Sequence, residues 1–426
     1  MTNGIRQGCT GSPLLFILIV NQIINRLYQS NLGFKTEKLY IPILYYADDG
    51  LLLSNSRKEM EEMITMLTTI SKECGLRINM EKSKCMIINR REPGTERIGE
   101  MEVVTSIRYL GITITDGRKY LKNFKDQKIK LARKMSGITF SIIARSCNKL
   151  LIGKTYWKSV VLPSILNAGA VIDWNVGELE RLQVIENSVW RQILGAPSYV
   201  AVEALRGEVG SATMLERDMK TKLCYLKHIL EGKNDLLVNI LHEMRESRRG
   251  MQWLKTVKQY LKNINVINMN LLQQYNENNI KTKVKEWGEE RWRVEMRQKS
   301  TLGTYCENKN HISGESIYYD NTFKSQLMFR CRTNSLALNW RKRFKGEEEE
   351  CNLCRQGTET LNHFVLECSE LETTRRKYGF CQDTTIEKIL LFEIDQEDPE
   401  NQYNKYSKYI EEIWNIRKKR SDQTSN

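Results

Sequence analysis

Asp48 and Asp49 stand side by side in the run Tyr45-Tyr46-Ala47-Asp48-Asp49-Gly50-Leu51-Leu52-Leu53. Two carboxylates brought together in an apolar context repel each other, and a divalent cation relieves that cost. Hard cations such as Mg2+ take one or two protein carboxylates and complete their shell with substrate phosphates, the arrangement of in-line nucleotidyl transfer. By itself an Asp-Asp-Gly step is an ordinary turn. A second constellation is Cys351-x2-Cys354-x8-His363-x4-Cys368. Three thiolates and one imidazole are the donor set of a closed tetrahedral zinc site. The chain has 11 Cys and 4 His, and four of these fifteen residues fall within these eighteen positions. A short helix over 360–366 would present His363. Ligands five apart on a helix point about 140° away from each other, so Cys368 is expected past the helix end.

A third cluster lies just before the cysteines. Residues 321–346 hold Lys324, Arg330, Arg332, Arg341, Lys342, Arg343 and Lys345 and no acid, with Phe323, Phe329, Trp340 and Phe344 between them. Cations neutralise phosphates and aromatic rings stack on bases. Arg330, Arg332, Trp340, Arg341, Lys342, Arg343 and Lys345 are therefore the candidate nucleic-acid contacts, set against the plainer reading of a solvated basic helix face with the aromatics in the core. Arg108, Lys119 and Lys122 are weaker candidates of the same kind.

The elements that must position these residues can be read from spacing. Ser12-Pro13 marks a helix start, and a buried helix is expected to about Gln29. Residues 40–46 and 50–54 read as strands joined by an Asp-Gly hairpin with both aspartates at its tip. Met60, Met63, Ile64, Leu67 and Ile70 define an amphipathic helix over 57–74 that Gly75 ends. Short strands at 76–79, 85–88, 101–104 and 109–115, punctuated by Glu92-Pro93-Gly94 and Asp116-Gly117, suggest a meander. From residue 118 helical spacing takes over, as in Leu179, Leu182, Ile185, Val189, Ile193 and Leu194. Trp174 and Trp190 in that stretch read as packing, and His228 and His242 as structural or surface residues. His311 falls in a polar loop over 306–314.

Composition bounds the answer. The 426 residues suit two or three domains, and 40% apolar with 28% charged residues excludes wholesale disorder. The longest apolar run, 14–20, is far short of the roughly 20 residues of a membrane-spanning helix. No membrane partner is expected, and no secretory leader pattern opens the chain. Lys plus Arg exceed Asp plus Glu by 66 to 52, a net charge of +14, which favours polyanionic partners. An odd, scattered set of cysteines fits a reducing, intracellular compartment.

Four blocks around the aspartates carry a resemblance. Gly4-Ile5-Arg6-Gln7-Gly8-Cys9-Thr10-Gly11-Ser12-Pro13, then Tyr46-Ala47-Asp48-Asp49, then Gly75-Leu76-Arg77-Ile78-Asn79-Met80-Glu81-Lys82-Ser83, then Tyr109-Leu110-Gly111 are similar in order and spacing to the palm motifs of reverse transcriptases. The likeness is to non-LTR retrotransposons of the long interspersed element type, and the Cys-Cys-His-Cys segment resembles their carboxy-terminal one. The resemblance implies catalytic roles for Asp48, Asp49 and Lys82, with Asp48 on Mg2+ and Lys82 near the leaving pyrophosphate. It places Gln7, Gly8 and Tyr46 at the nucleotide and Tyr109, Leu110 and Gly111 at the primer terminus. Cys351, Cys354, His363 and Cys368 are expected to hold Zn2+. The implied partners are an RNA template, a DNA primer or target and deoxynucleotide triphosphates, with nuclear action.

The expected fold is α+β: a partial palm over 1–117, an all-α thumb and connection over 118–300, and a basic helical region over 301–426 with the zinc knuckle. Family members carry another catalytic aspartate, with the fingers, well upstream of the Arg6-Gln7-Gly8 block, and only three residues precede Gly4. That acid is expected to be missing, through truncation or a misplaced Met1, and any endonuclease with it. The function expected is an RNA-directed DNA polymerase fragment without activity of its own. The alternative is a zinc-containing nucleic-acid-binding remnant. A group II intron maturase would share the palm blocks but would not have the zinc segment.

Overall fold

The computed structural model describes residues 8–88, 97–117, 119–146, 148–247, 251–314 and 322–424. Arg6, Gln7, the Glu92-Pro93-Gly94 turn, Cys147 and the side chains of Phe344 and Lys345 lie outside the described residues. Among the described residues every strand ends before residue 116, and helices follow, apart from one isolated bridge between Glu350 and Thr358.

The first segment is built on two helices. α1 (Ser12–Gln29) carries Pro13 in its first turn, where a missing N–H costs nothing. Gly11, not Ser12, occupies the cap position. The expected burial holds for one face only: Val20, Ile23 and Leu27 are buried, whereas Leu14, Leu15, Ile17 and Leu18 are 50–63% exposed. At 100° per residue the two sets project from opposite sides of the helix. α2 (Arg57–Glu73) starts at Ser56, whose side chain accepts from the Glu59 N–H, and ends before Gly75 at φ +72°.

Between the helices run β1 (Phe34–Lys35), β2 (Tyr40–Ile41), β3 (Ile43–Tyr46) and β4 (Asp49–Leu52), paired β1 with β2 and β3 with β4, both antiparallel. Ile43 of β3 joins Ile23, Leu27, Leu67 and Ile70 in one buried cluster, which seats the β3–β4 hairpin on α1 and α2. After α2, residues 76–79 carry no strand pairing. β5 (Lys84–Cys85) lies parallel to β7 (Met101–Val103), and β6 (Arg97–Ile98) lies antiparallel on the other side of β7. β8 (Ser106–Tyr109) and β9 (Ile112–Thr115) form a separate hairpin. The expected meander is thus a three-stranded sheet plus a hairpin.

The helical part comprises α3 (Lys122–Ala144), α4 (Lys149–Tyr156), α5 (Leu162–Leu166), α6 (Val176–Leu194), α7 (Val202–Val209), α8 (Met214–Leu230), α9 (Asp235–Glu246), α10 (Gln252–Asn263), α11 (Glu277–Arg297) and α12 (Gly303–Asn308). α6 opens with a capping box between Asn175 and Glu178 and closes on left-handed Gly195. Trp157 and Trp190 are fully buried and meet edge to face with centroids 6.1 Å apart. Trp174 is also buried, so these aromatics pack, as expected. A second core joins α8, α10 and α11. His228, His242 and His311 are exposed.

The last region holds α13 (Phe323–Arg332), α14 (Glu372–Lys377), α15 (Ile386–Ile389) and α16 (Pro399–Thr424) around a third core that includes Cys351 and Cys368. A buried ion pair ties it to the helical part, with Arg332 Nη2 3.1 Å and Nε 3.2 Å from the two carboxylate oxygens of Glu208. The β1–β2 turn reaches α9, where Thr36 Oγ1 donates to Glu243 at 2.5 Å and Lys38 pairs with Glu246. No described helix is long and apolar enough to cross a membrane.

Candidate functional site

The β3–β4 register pairs Tyr46 with Asp49 and Tyr45 with Gly50. The turn therefore consists of Ala47 and Asp48, with Ala47 in the left-handed region at φ +53°. This corrects the expected tip: Asp48 lies in the turn, while Asp49 is the first residue of β4. Gly50 is not a turn residue at all. Its bare Cα lies under the Tyr45 ring, and a Cβ there would fall 2.9 Å from the ring. Both aspartates and Tyr46 are exposed, so the carboxylates are open to a ligand arriving from solvent.

The β8–β9 hairpin carries the Tyr109-Leu110-Gly111 block. Its two-residue loop is Leu110-Gly111, at φ +47° and +80°, the pair of positive values that a tight hairpin turn requires. Burial pushes the Tyr109 phenol pKa up, and the nearby Asp49 carboxylate adds to the rise. Tyr109 and Asp49, about sixty residues apart in sequence, thus lie within electrostatic reach of each other. Gly8 is exposed at φ +87°, a conformation that suits glycine, and Gln7 lies outside the described residues. Lys82 is exposed on a turn in which its N–H donates to Asn79 Oδ1 at 3.1 Å. Among the described residues no hydrogen bond or ion pair joins the Lys82 ammonium to either aspartate.

The cysteine cluster converges fully. One ligand atom from each of Cys351, Cys354, His363 and Cys368 lies within 4.8 Å of the others. Cys351 Sγ is 3.9 Å from Cys368 Sγ, and Cys354 Sγ is 3.3 Å from His363 Nε2. A tetrahedron with metal–sulfur bonds of about 2.3 Å has edges of about 3.8 Å, so the four donors fit a single ion. The local chain explains the convergence. Cys351 N–H donates to the Gly357 carbonyl at 3.0 Å, and Arg355 and Gly357 at φ +55° and +72° fold the 351–358 segment back on itself. His363 opens a π-helical turn, His363–Glu367, and Cys368 follows it with ψ +121°, outside the helix. Glu367 Oε2 stands 3.8 Å from His363 Nδ1, on the side away from the ligand nitrogen, where an acceptor orients a metal-bound imidazole. Burial pushes the Cys351 and Cys368 thiols up, Cys368 to about 12 with Cys351 contributing. A bound dication inverts that balance.

Comparison with known proteins now decides the family of the first segment. Residues 1–114 match the family described as reverse transcriptase (RNA-dependent DNA polymerase). This segment belongs to the reverse transcriptase family. The chain is 29% identical over 148 residues to a 115 kDa protein in the type-1 retrotransposable element R1DM of Drosophila melanogaster, covering 32% of the chain and 13% of that protein. It is 27% identical over 146 residues to a retrovirus-related Pol polyprotein from the element R1 2 of Nasonia vitripennis, covering 30% and 33%. A protein named "Probable RNA-directed DNA polymerase from transposon X-element" of Drosophila melanogaster is 24% identical over 261 residues, covering 58% and 27%. That last likeness is longer than the reverse transcriptase segment and so runs into the helical part. The chain matches a third or less of the length of each of these non-LTR retrotransposon proteins.

In the reverse transcriptase segment, two exposed carboxylates on a rigid hairpin suit one side of a hard cation's shell, with phosphate and water oxygens for the rest. Among the described residues no third Asp, Glu, His or Cys joins them in a group able to hold a metal; the group that does form is the Cys3His cluster.

The basic segment is only partly available. Arg332 is buried, with its guanidinium on Glu208 and on the carbonyls of Leu390 and Leu391, so it is a clamp between regions and not a nucleic-acid contact. Trp340 is buried in the third core and likewise leaves the candidate set. Arg330 is half-buried and donates to the Gly195 carbonyl at 3.1 Å. Arg341 and Lys342 are half-buried and Arg343 is exposed; the Lys345 side chain lies outside the described residues. Phe329 is buried and Phe323 exposed. Sequence reasoning missed Tyr199, which lies against Arg341, and Glu359, which receives Arg417. Neither has a signal in local spacing.

Proposed function

We propose that this chain is the carboxylate-pair and primer-contacting part of a non-LTR retrotransposon RNA-directed DNA polymerase, followed by a zinc-stapled region that binds nucleic acid. The observation that carries the reading is the exposed Asp48–Asp49 pair, held on the β3–β4 hairpin within the segment that matches the reverse transcriptase family. Asp48 and Asp49 would hold Mg2+ together with the phosphates of a deoxynucleotide, and Mg2+ there would neutralise charge on the attacking and leaving oxygens. Tyr46 and Gly8 border the nucleotide, Leu110 and Gly111 border the primer end, and Lys82 would come to the leaving pyrophosphate once substrate is bound. Gln7 takes its nucleotide role from the family resemblance. Zn2+ suits the Cys3His donors by number, type and spacing. The place of action proposed is nuclear DNA.

Two-metal transfer needs ligands that bridge both ions, and among the described residues no third acidic group joins Asp48 and Asp49 to complete such a bridge. The 426-residue chain is therefore proposed to bind RNA and primer without extending it. Primer extension on an RNA template with Mg2+ and deoxynucleotides tests this. The expected result is binding with no incorporation above that of a D48N/D49N variant. Incorporation that the double variant abolishes would make the chain a competent polymerase; absence of binding would overturn the reading altogether.

A further inference from the structure

The loop between α6 and α7 carries Tyr199, which is 52% exposed although its position is fixed. Its hydroxyl donates to the Ser335 carbonyl at 2.9 Å. The loop beneath it is clamped at both ends: Arg330 donates to Gly195 O at 3.1 Å and Arg191 to Val200 O at 2.9 Å. Gly195 packs so tightly on α13 that a Cβ would meet Gln326 at 2.7 Å. The Arg341 guanidinium lies 4.2 Å from the Tyr199 ring centroid and 5.3 Å from that of Trp340, and Arg343 lies 4.9 Å from Trp340. The result is an alternating ladder, Tyr199, Arg341, Trp340, Arg343, drawn from two distant parts of the chain. Its outermost ring is Tyr199. A ring covered by a guanidinium on one face and still half exposed offers its other face to solvent.

From this geometry we infer that Tyr199 is a base-stacking platform for single-stranded nucleic acid, with Arg341, Lys342 and Arg343 beside it for the phosphates. The inference rests on the proposed nucleic-acid role and deepens it by naming the site and the strand state. A planar base is the natural next layer of the ladder, and stacking on an aromatic face requires an unpaired base. Among the described residues no carboxylate pairs with Arg341 or Lys342. The acids Glu347, Glu348, Glu349 and Glu350 follow directly, with Glu347 N–H bonded to Lys342 O. That acidic neighbour weakens the attraction for the dense phosphates of a duplex and leaves stacking as the selective contact. The platform is fixed before binding, so little ordering cost opposes it.

The test uses the full chain and fluorescein-labelled oligouridine of twelve nucleotides, with an RNA duplex of the same length as the second probe, read by fluorescence anisotropy. Y199A is expected to weaken single-strand binding by about 5-fold or more, with Y199W retaining it and duplex binding unchanged. K342Q/R343Q is expected to lower the salt slope by about 2. Wild-type binding that Y199A leaves intact, or an equal loss on duplex, overturns the platform while the nucleic-acid reading stands. No wild-type binding overturns both. The melting temperature of Y199A checks that an exposed substitution has not disturbed the fold.

Discussion

Arg417 of α16 clasps Glu359 of the cysteine-cluster segment through two hydrogen bonds, Nε to Oε1 at 2.8 Å and Nη2 to Oε2 at 2.7 Å, both groups buried. Glu359 Oε2 also receives the Asn339 N–H at 2.7 Å. One carboxylate therefore joins the cysteine-cluster segment, the start of the basic turn and the last helix. Arg417 belongs to the terminal basic run Arg417-Lys418-Lys419-Arg420, so that run is not a uniformly free cluster. Removing one partner leaves the other charge buried alone, which costs about 3–5 kcal/mol. R417A and E359A are each expected to lower stability by that amount, and the double variant to lose less than the sum. Denaturant midpoints of the three variants would check this.

What sequence could and could not reveal follows from how far apart the partners lie. The Cys3His donors converge within eighteen residues, so type and spacing sufficed to find them. The acidic hairpin was equally legible, yet its turn falls one residue early. A left-handed alanine costs about 1 kcal/mol, and turn chemistry alone prefers Asp-Gly at the tip. Packing overrides that preference, because Gly50 is needed bare beneath Tyr45. The Arg332–Glu208 pair spans 124 positions, and nothing in local periodicity marks either residue as the other's partner. Arg332 consequently read as one more cation in a basic run.

The cysteine cluster predicts how the region responds to loss of metal. Purified chain is expected to carry zinc at one ion per molecule, released by a chelator together with a fall in melting temperature. C368S should bind no zinc and melt at the lowered temperature, and the chelator should then have no further effect. Because Cys351 and Cys368 sit in a core shared with α13 and α16, secondary structure is expected to survive chelation while this core loosens. Zinc content by a colorimetric chelator and melting by circular dichroism measure both. A chelator effect that persists in C368S would contradict the assignment.

Alkaline pH probes the electrostatic coupling of Asp49 to Tyr109. The folded phenol is raised, chiefly by burial and then by Asp49, above an unfolded value of about 10. Its contribution to stability is therefore complete below about pH 10 and is lost as pH rises through the folded value. D49N removes the charge and leaves the burial, so the Tyr109 titration should move down part of the way. The difference between wild type and Y109F in absorbance at 295 nm, repeated in the D49N background, isolates that phenol. No movement would mean that Asp49 and Tyr109 are not coupled in solution.

Arg332 and Arg343 separate a structural role from the proposed nucleic-acid role within one basic run. R332K keeps the charge but loses the forked geometry that meets both oxygens of Glu208 and the carbonyls of Leu390 and Leu391. It is expected to cost about 2 kcal/mol or more of stability, since the lost bonds leave a charged acceptor buried, while leaving the salt dependence of oligouridine binding unchanged. R343Q should behave in the opposite way. Its exposed guanidinium stacks on the edge of the third core without a large share in it, so the melting temperature should hold while the salt slope falls by about 1. Melting curves and affinities at three salt concentrations distinguish the two. If R332K changed the slope at constant stability, the Glu208 clamp would not exist in solution and the basic run would act as a single open surface.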